Sequence, residues 1–124
     1  MAIALAALAL RAGLALRRAR HAGARRGRAL FERHYRFAKP AVVLGVTGFA
    51  LGPLSMWALR GRAPFETVHA IVGVVAAGLF AATGLLGRRL ERGTDRPIEA
   101  HARLGVALIL ASAAAAVMGF VLLP

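Results

Sequence analysis

The stretch VHAIVGVVAAGLFAATGLLG, residues 68–87, contains twenty residues and no aspartate, glutamate, lysine or arginine. A helix of this length measures about 30 Å, at about 1.5 Å per residue, which matches the hydrocarbon core of a bilayer. Its apolar residues are not confined to one face, as they would be in an amphipathic helix on a soluble core. The stretch therefore predicts a helix that spans a membrane.

Similar apolar blocks lie on both sides of this stretch, and apolar residues make up 59% of the chain. The first block is shorter than the others and carries Arg11 in its middle. It lacks the positively charged start and small-residue cleavage site of a signal peptide, so we interpret it as a short or truncated first span. The sequence thus predicts an all-α integral membrane protein, a single up-down four-helix bundle. The expected spans are residues 2–18, 38–59, 68–87 and 101–123.

The cations between the blocks predict the orientation of the bundle. Residues 17–39 contain nine lysines and arginines, whereas the loop at 60–66 contains only Arg60 and Arg62. Loops rich in lysine and arginine remain in the cytoplasm. We therefore expect the loops between spans one and two and between spans three and four to be cytoplasmic, with both termini external.

Composition argues against several classes of function. The net charge of +12 is distributed between apolar blocks with almost no interleaved aromatic residues, which indicates membrane topology and not nucleic-acid binding. The absence of cysteine excludes thiolate metal sites and iron–sulfur clusters built from this chain. All five carboxylates lie at span ends or in loops, so an ion-coupled transporter is not expected.

Histidines begin three of the blocks, and the phrase His-Ala-x-x-Gly occurs twice, at 69–73 and 101–105. With the predicted topology, His34 and His101 enter the second and fourth helices from the same side of the membrane, and His69 lies at the opposite side. The second and fourth helices of an up-down bundle are diagonal neighbours. Two imidazoles that face each other at the same depth could bind the iron of one haem from opposite sides. The alternative is that each is a polar group at the headgroup boundary.

Small residues occur four positions after each of these histidines, on the same helix face, where they would give a porphyrin a flat surface. The same residues would also allow membrane helices to pack closely, so both interpretations stay open. The candidates for contact with a cofactor are Ala38, Gly73 and Gly105, together with Gly45, a further small residue of the second helix.

Arginines next to the paired histidines are candidates for binding haem propionates, because guanidinium groups pair well with carboxylates. The alternative is that they only determine topology. The best placed are Arg33, Arg36 and Arg103.

The Arg33-His34 pair, His69 with Gly73, and His101 after a short charged loop together resemble a small four-helix bacterial membrane family of unknown function, the DUF4079-like group. That group is similar to the di-haem cytochrome b-561 and ferric-reductase transmembrane proteins. The resemblance covers nearly the whole chain. It implies an inner-membrane protein in which b-type haem is bound by histidines on alternate helices and electrons cross the bilayer.

Under this resemblance, His34 and His101 would bind the first haem b. His69 would bind a second haem, together with a ligand from the external end of the first helix. The sequence departs from the pattern there, since residues 1–16 contain no histidine. Either the start of the chain has been placed too late, or the second haem is lost or has another ligand.

We accordingly expect a membrane b-type cytochrome-like protein that transfers electrons. The sequence contains no nucleotide-binding or flavin-binding motif. We therefore expect an electron-transfer subunit and not a complete enzyme. A redox protein or a larger membrane complex would be its partner. The alternative is a haem-free packing or assembly subunit of a larger membrane complex.

Overall fold

A computed structural model of the chain consists of four α-helices, and no strand occurs in the residues it describes, which are 1–23, 28–61, 63, 65–93 and 97–121. The predicted all-α four-helix architecture is therefore confirmed. The end of the fourth predicted span, residues 122 and 123, lies outside the described residues. The helices are α1, Ala2–His21; α2, Arg28–Arg60; α3, Val68–Arg92; and α4, Ile98–Val121.

Two well-defined caps fix the limits of α3. At its start, the Thr67 side chain accepts a hydrogen bond of 3.2 Å from the backbone N–H of Ala70, which satisfies one of the free donors of the first turn. At its end, Gly93 has φ 71°, a left-handed conformation that favours glycine. Thr67 and Gly93 thus mark the start and the end of this helix.

The helices form a ring in which each contacts two neighbours: α1 with α2, α2 with α3, α3 with α4, and α4 with α1. The contacts between α1 and α4 are the least extensive. Consequently α2 and α4 stand on a diagonal of the described bundle, as the sequence predicted. We call the end where α1 and α3 finish and α2 and α4 begin the basic end.

Three helices, α2, α3 and α4, are long and apolar enough to cross a membrane. The chain is therefore a multi-pass membrane protein. Helix α1 does not meet the same criterion of composition, because arginines occupy its middle and its last turns. It nevertheless continues to His21, three residues beyond the predicted span, since alanine, leucine and arginine all favour the helix.

Glycines determine how α2 packs against α3. Fully buried Phe80 on α3 lies on Gly45 of α2, so closely that a Cβ at Gly45 would lie 2.6 Å from the ring. In the same way Val42 packs on Gly84, and Phe49 packs on Gly73. Each bulky side chain thus occupies the space left by a glycine on the opposite helix, which allows the two backbones to approach closely.

Helix α1 lies beside the half of the bundle that is nearer the basic end. Its Ala6 joins Ala41, Phe80 and Leu108 in the central cluster, and Ala2 packs against that cluster. Its last turns reach the start of α4, where Arg17 pairs with Glu99 at 2.9 Å. The first turn of α1 is therefore level with the middle of α4.

Candidate functional site

The rings of His34 and His101 meet across the diagonal of the bundle. Their centroids are 6.0 Å apart and their planes are inclined at 82°. His34 lies in the second turn of α2 and His101 in the first turn of α4, and both are partly buried. Helices α2 and α4 begin at the same end of the bundle. His34 and His101 therefore lie at the same depth along the bundle axis.

Each of these rings is held by a helix other than its own. Nδ1 of His34 lies 2.8 Å from the carbonyl oxygen of Ala9 on α1, and Nδ1 of His101 lies 3.2 Å from that of Thr83 on α3. A carbonyl can only accept, so Nδ1 carries the proton in both rings and donates it. The neutral ring in this tautomer keeps the Nε2 lone pair available to a ligand.

A third histidine, His69, is held in the same way at the opposite end of the bundle. Its Nδ1 donates to the carbonyl oxygen of Ala115 on α4, at 3.0 Å. The remaining histidine, His21, is exposed at the end of α1 and lies at the basic end. All four histidines of the chain are described, so no second histidine of this chain accompanies His69.

Polar contacts connect the helices around the His34–His101 pair. The ion pair of Arg17 with Glu99 joins α1 to α4, and the Tyr35 hydroxyl donates to Glu91, which joins α2 to α3. The ammonium group of Lys39 lies 4.0 Å from the centre of the Tyr35 ring, within the range of a cation–π interaction. These contacts link α1 to α4 and α2 to α3 at the basic end.

The four small residues proposed for cofactor contact have different surroundings. Gly45 and Gly73 accommodate the rings of Phe80 and Phe49, as described above. Gly105 is more open, since a Cβ built there would meet only Leu10 of α1, at 4.0 Å. Ala38 is partly buried one turn after His34. Of the three glycines, only Gly105 is thus without close cover by a bulky side chain.

The three arginines proposed as propionate partners are exposed, and the structure shows no ion pair for them within the residues it describes. Arg33 precedes His34 directly, and Arg36 and Arg103 each lie two residues after a histidine of the pair. A group bound at the pair and extending toward the basic end would find these guanidinium groups available.

Two imidazoles are a small ligand set for a bare metal ion. No group of three or more histidine, aspartate or glutamate side chains suited to a metal comes together in the described parts of the chain. Structural and catalytic zinc sites use three or four protein ligands. A pair of opposed imidazoles fits instead a metal that brings its own equatorial ligands, as iron does in haem.

Sequence reasoning missed the glycines on which the histidine rings lie. A Cβ at Gly13 would lie 3.3 Å from the His34 ring, one at Gly87 would lie 3.4 Å from His101, and one at Gly119 would lie 2.9 Å from His69. The spacing of these residues was a usable signal. On both α3 and α4 the glycine follows the histidine of its own helix by eighteen residues, which is about five helical turns and returns to the same face.

Fold and site together define a helical multi-pass membrane protein with a cross-bundle histidine pair near one end. Comparison of the chain with models of protein families, with curated proteins and with solved structures found no match.

Proposed function

We propose that this protein is a membrane b-type cytochrome-like electron carrier, which binds one haem b between α2 and α4 through His34 and His101. The observation that carries the proposal is the 6.0 Å separation of the two ring centroids. A metal–nitrogen bond is about 2 Å long and a ring nitrogen lies about 1 Å from its centroid, so two imidazoles that held one metal between them would have centroids about 6 Å apart. The large angle between the planes is compatible with this, since each ring can rotate about its own bond to the metal.

The hydrogen bonds of the pair support the same function. Histidines that bind a metal through Nε2 commonly donate Nδ1–H to a backbone carbonyl, which fixes the ring and increases its basicity. His34 and His101 both make this bond, to Ala9 and Thr83.

The surrounding residues would contribute orientation and a dry environment. Ala38 and Gly105 would lie beside the macrocycle, and Arg33, Arg36 and Arg103 would pair with its propionates. A bound haem would supply one-electron redox chemistry, and the chain would supply His34 and His101 to hold it and a low dielectric around them. No nucleotide-binding motif occurs in the sequence, so a partner protein would deliver or accept the electrons.

His69 belongs to the proposal only as a candidate ligand of a second haem. Its Nδ1 donates to Ala115, as in the pair, but the other three histidines of the chain lie at the basic end. A haem at this end would need its second ligand from another type of residue or another chain. We therefore propose a stoichiometry of one haem per chain.

Absorption spectroscopy of the purified protein tests this function. We expect a b-type reduced-minus-oxidised spectrum and about one haem per chain by pyridine haemochrome assay. His34→Ala or His101→Ala should abolish haem binding, because each removes one axial ligand. His21→Ala is the matched control, since His21 is exposed, and His69→Ala should also retain the haem.

Protein that is expressed with ample haem and still contains none would refute the proposal. Equal haem content in His34→Ala, His101→Ala and His21→Ala would instead show that haem binds without the histidine pair.

We further propose that the protein lies in the bacterial inner membrane with its basic end in the cytoplasm, on the distribution of lysine and arginine. Because the chain contains no cysteine, single cysteines can report the orientation without interference. We expect a membrane-impermeant maleimide to label Gly61→Cys in whole cells, and to label His21→Cys only after lysis. The reverse pattern would overturn the orientation.

A second function, that of a haem-free packing subunit, is favoured by two glycines. Gly48 and Gly52 lie one turn apart on α2, both are exposed, and a Cβ on either would meet no described atom within 4 Å. A pair of small residues at this spacing allows another membrane helix to approach closely. The haem spectrum distinguishes the two functions, because a packing subunit would contain no haem.

A further inference from the structure

Three of the four histidines, His34, His69 and His101, make the same contacts with a neighbouring helix. The acceptor carbonyl belongs to Ala9, Thr83 or Ala115, and the glycine under the ring follows that residue by four positions in each case. We name these three sets, Ala9 with Gly13, Thr83 with Gly87 and Ala115 with Gly119, the carbonyl–glycine pairs.

The four-residue spacing has a physical reason. In an α-helix the carbonyl of one residue points toward the N–H of the residue four positions later. A side chain approaching that carbonyl from outside therefore comes close to the Cβ of the later residue. A glycine there removes the obstacle, so the imidazole can reach a carbonyl that already accepts a bond within its helix. The carbonyl oxygen has a second lone pair for this purpose.

We infer that Gly13, Gly87 and Gly119 are positioning residues, which let the three imidazoles donate Nδ1–H to a backbone carbonyl and so place the lone pair of the neutral ring on Nε2. For Gly13 and Gly87 this inference rests on the proposed function, since the ligands they would position are those of the haem. The tautomer itself is a property of the protein whether or not haem is present.

The three glycines differ in how much a substitution by alanine should displace the histidine ring. The methyl group of an alanine would meet the histidine ring at 2.9 Å for Gly119, 3.3 Å for Gly13 and 3.4 Å for Gly87. Ordinary carbon–carbon contacts lie at about 3.5–4.0 Å, so the ring must move furthest at Gly119. Because the ring moves away from its carbonyl, the Nδ1–H bond should weaken in the same order.

Gly78 provides a control on α3. It is exposed, and a Cβ there would meet no described atom within 4 Å. Gly78→Ala therefore changes the helix propensity as Gly87→Ala does, without touching a ring. Any effect of helix stiffening alone should appear equally in both variants.

Nitrogen-15 NMR of the full-length protein with labelled histidines tests the inference. The protein is purified in detergent micelles and reduced with dithionite, so that a low-spin haem, if bound, is diamagnetic. We expect three histidines in the Nδ1–H tautomer, with solvent-exposed His21 as the internal reference. Gly119→Ala should shift or broaden the His69 ring signals most, Gly13→Ala should affect His34 less, and Gly78→Ala should affect none.

In haem-containing protein, Gly13→Ala should weaken haem retention by about tenfold, the lower end of the effect of disturbing the hydrogen-bond partner of a metal-binding histidine. It should also shift the midpoint potential, which a loss of stability alone would not do. Gly78→Ala should leave both quantities unchanged.

The two proposals fail in different ways. Nε2–H tautomers in the unsubstituted protein would refute the positioning role whatever the haem content. Three Nδ1–H tautomers in a protein without haem would preserve the positioning role and refute the haem proposal. Equal effects of Gly13→Ala and Gly78→Ala on the His34 signals would also overturn the inference.

Discussion

Replacing Gly45 by alanine would bring a methyl group close to three atoms of the Phe80 ring, at 2.6, 2.6 and 2.7 Å. Ordinary contacts lie at about 3.5–4.0 Å, so the ring or the helix must move by about 1 Å. Phe80 has 0% exposure and packs in the central cluster with Ala6, Ala41 and Leu108, and it therefore has no free direction in which to tilt.

Overpacking of this kind costs about 1–3 kcal/mol, and the better helix propensity of alanine offsets up to about 1 kcal/mol of it. We expect Gly45→Ala to lower the free energy of unfolding by about 1–2 kcal/mol. Gly48→Ala is the matched control, because Gly48 is on the same helix and a Cβ there would meet nothing within 4 Å. That variant should be neutral or slightly stabilising.

Reversible unfolding in mixed micelles, followed by helicity, would measure both changes. A double-mutant cycle with Phe80→Ala isolates the contact, since the methyl group is then no longer opposed by a ring. Gly45→Ala should stabilise the Phe80→Ala background while destabilising the parent. Equal free energies for Gly45→Ala and Gly48→Ala would refute the packing of Phe80 on Gly45, and with it the register of α2 against α3.

Two further predictions concern single hydroxyl groups. Ser112 has 0% exposure, and its Oγ has no hydrogen-bond partner in the described residues. Ser112→Ala should therefore leave the free energy of unfolding unchanged or raise it by about 1 kcal/mol, whereas a loss above about 1 kcal/mol would mean that the hydroxyl has a partner. Thr67→Ala should lower the free energy of unfolding by about 1 kcal/mol, because it removes the hydrogen bond that caps the N–H of Ala70. Thr47→Ala is the control. The Thr47 hydroxyl donates to carbonyls of its own helix, so its loss should change the free energy of unfolding less. Equal losses for the two threonine variants in the same unfolding assay would contradict the role of the cap.

The sequence was sufficient for the parts of the fold that depend on local composition. Runs of apolar residues fix where α2, α3 and α4 lie, because a bilayer requires about 20 such residues for a helical crossing. The diagonal relation of α2 and α4 then follows from short loops in an up-down bundle. The proximity of His34 and His101 could be predicted for the same reason, since it needs only two helices that begin at one end.

Which side chain meets which glycine could not be predicted from the sequence. The small residues of α2 and α3 are numerous, and many rotations of the two helices bring some of them together. The choice of Gly45 for Phe80 and Gly73 for Phe49 depends on the rotation and register of both helices at once. The expectation that Gly45 and Gly73 border a haem stays a prediction, and in the structure both contact phenylalanine rings.

The histidines of the repeated phrase His-Ala-x-x-Gly have equivalent surroundings in the antiparallel pair of α3 and α4. His69 on α3 lies on Gly119 of α4, and His101 on α4 lies on Gly87 of α3. Each helix therefore carries a histidine at its start and, eighteen residues later on the same face, the glycine that accommodates the histidine of the other. The two contacts are therefore reciprocal between the two helices.

Helix α2 carries the same eighteen-residue spacing, from His34 to Gly52, and His34 lies on Gly13 of α1. Gly52, however, has no described atom within 4 Å of its Cβ position. The antiparallel pair of α1 and α2 thus contains one of the two contacts that the pair of α3 and α4 contains. This difference accounts for the unequal ends of the bundle, because two histidines meet at the basic end while His69 is alone at the other.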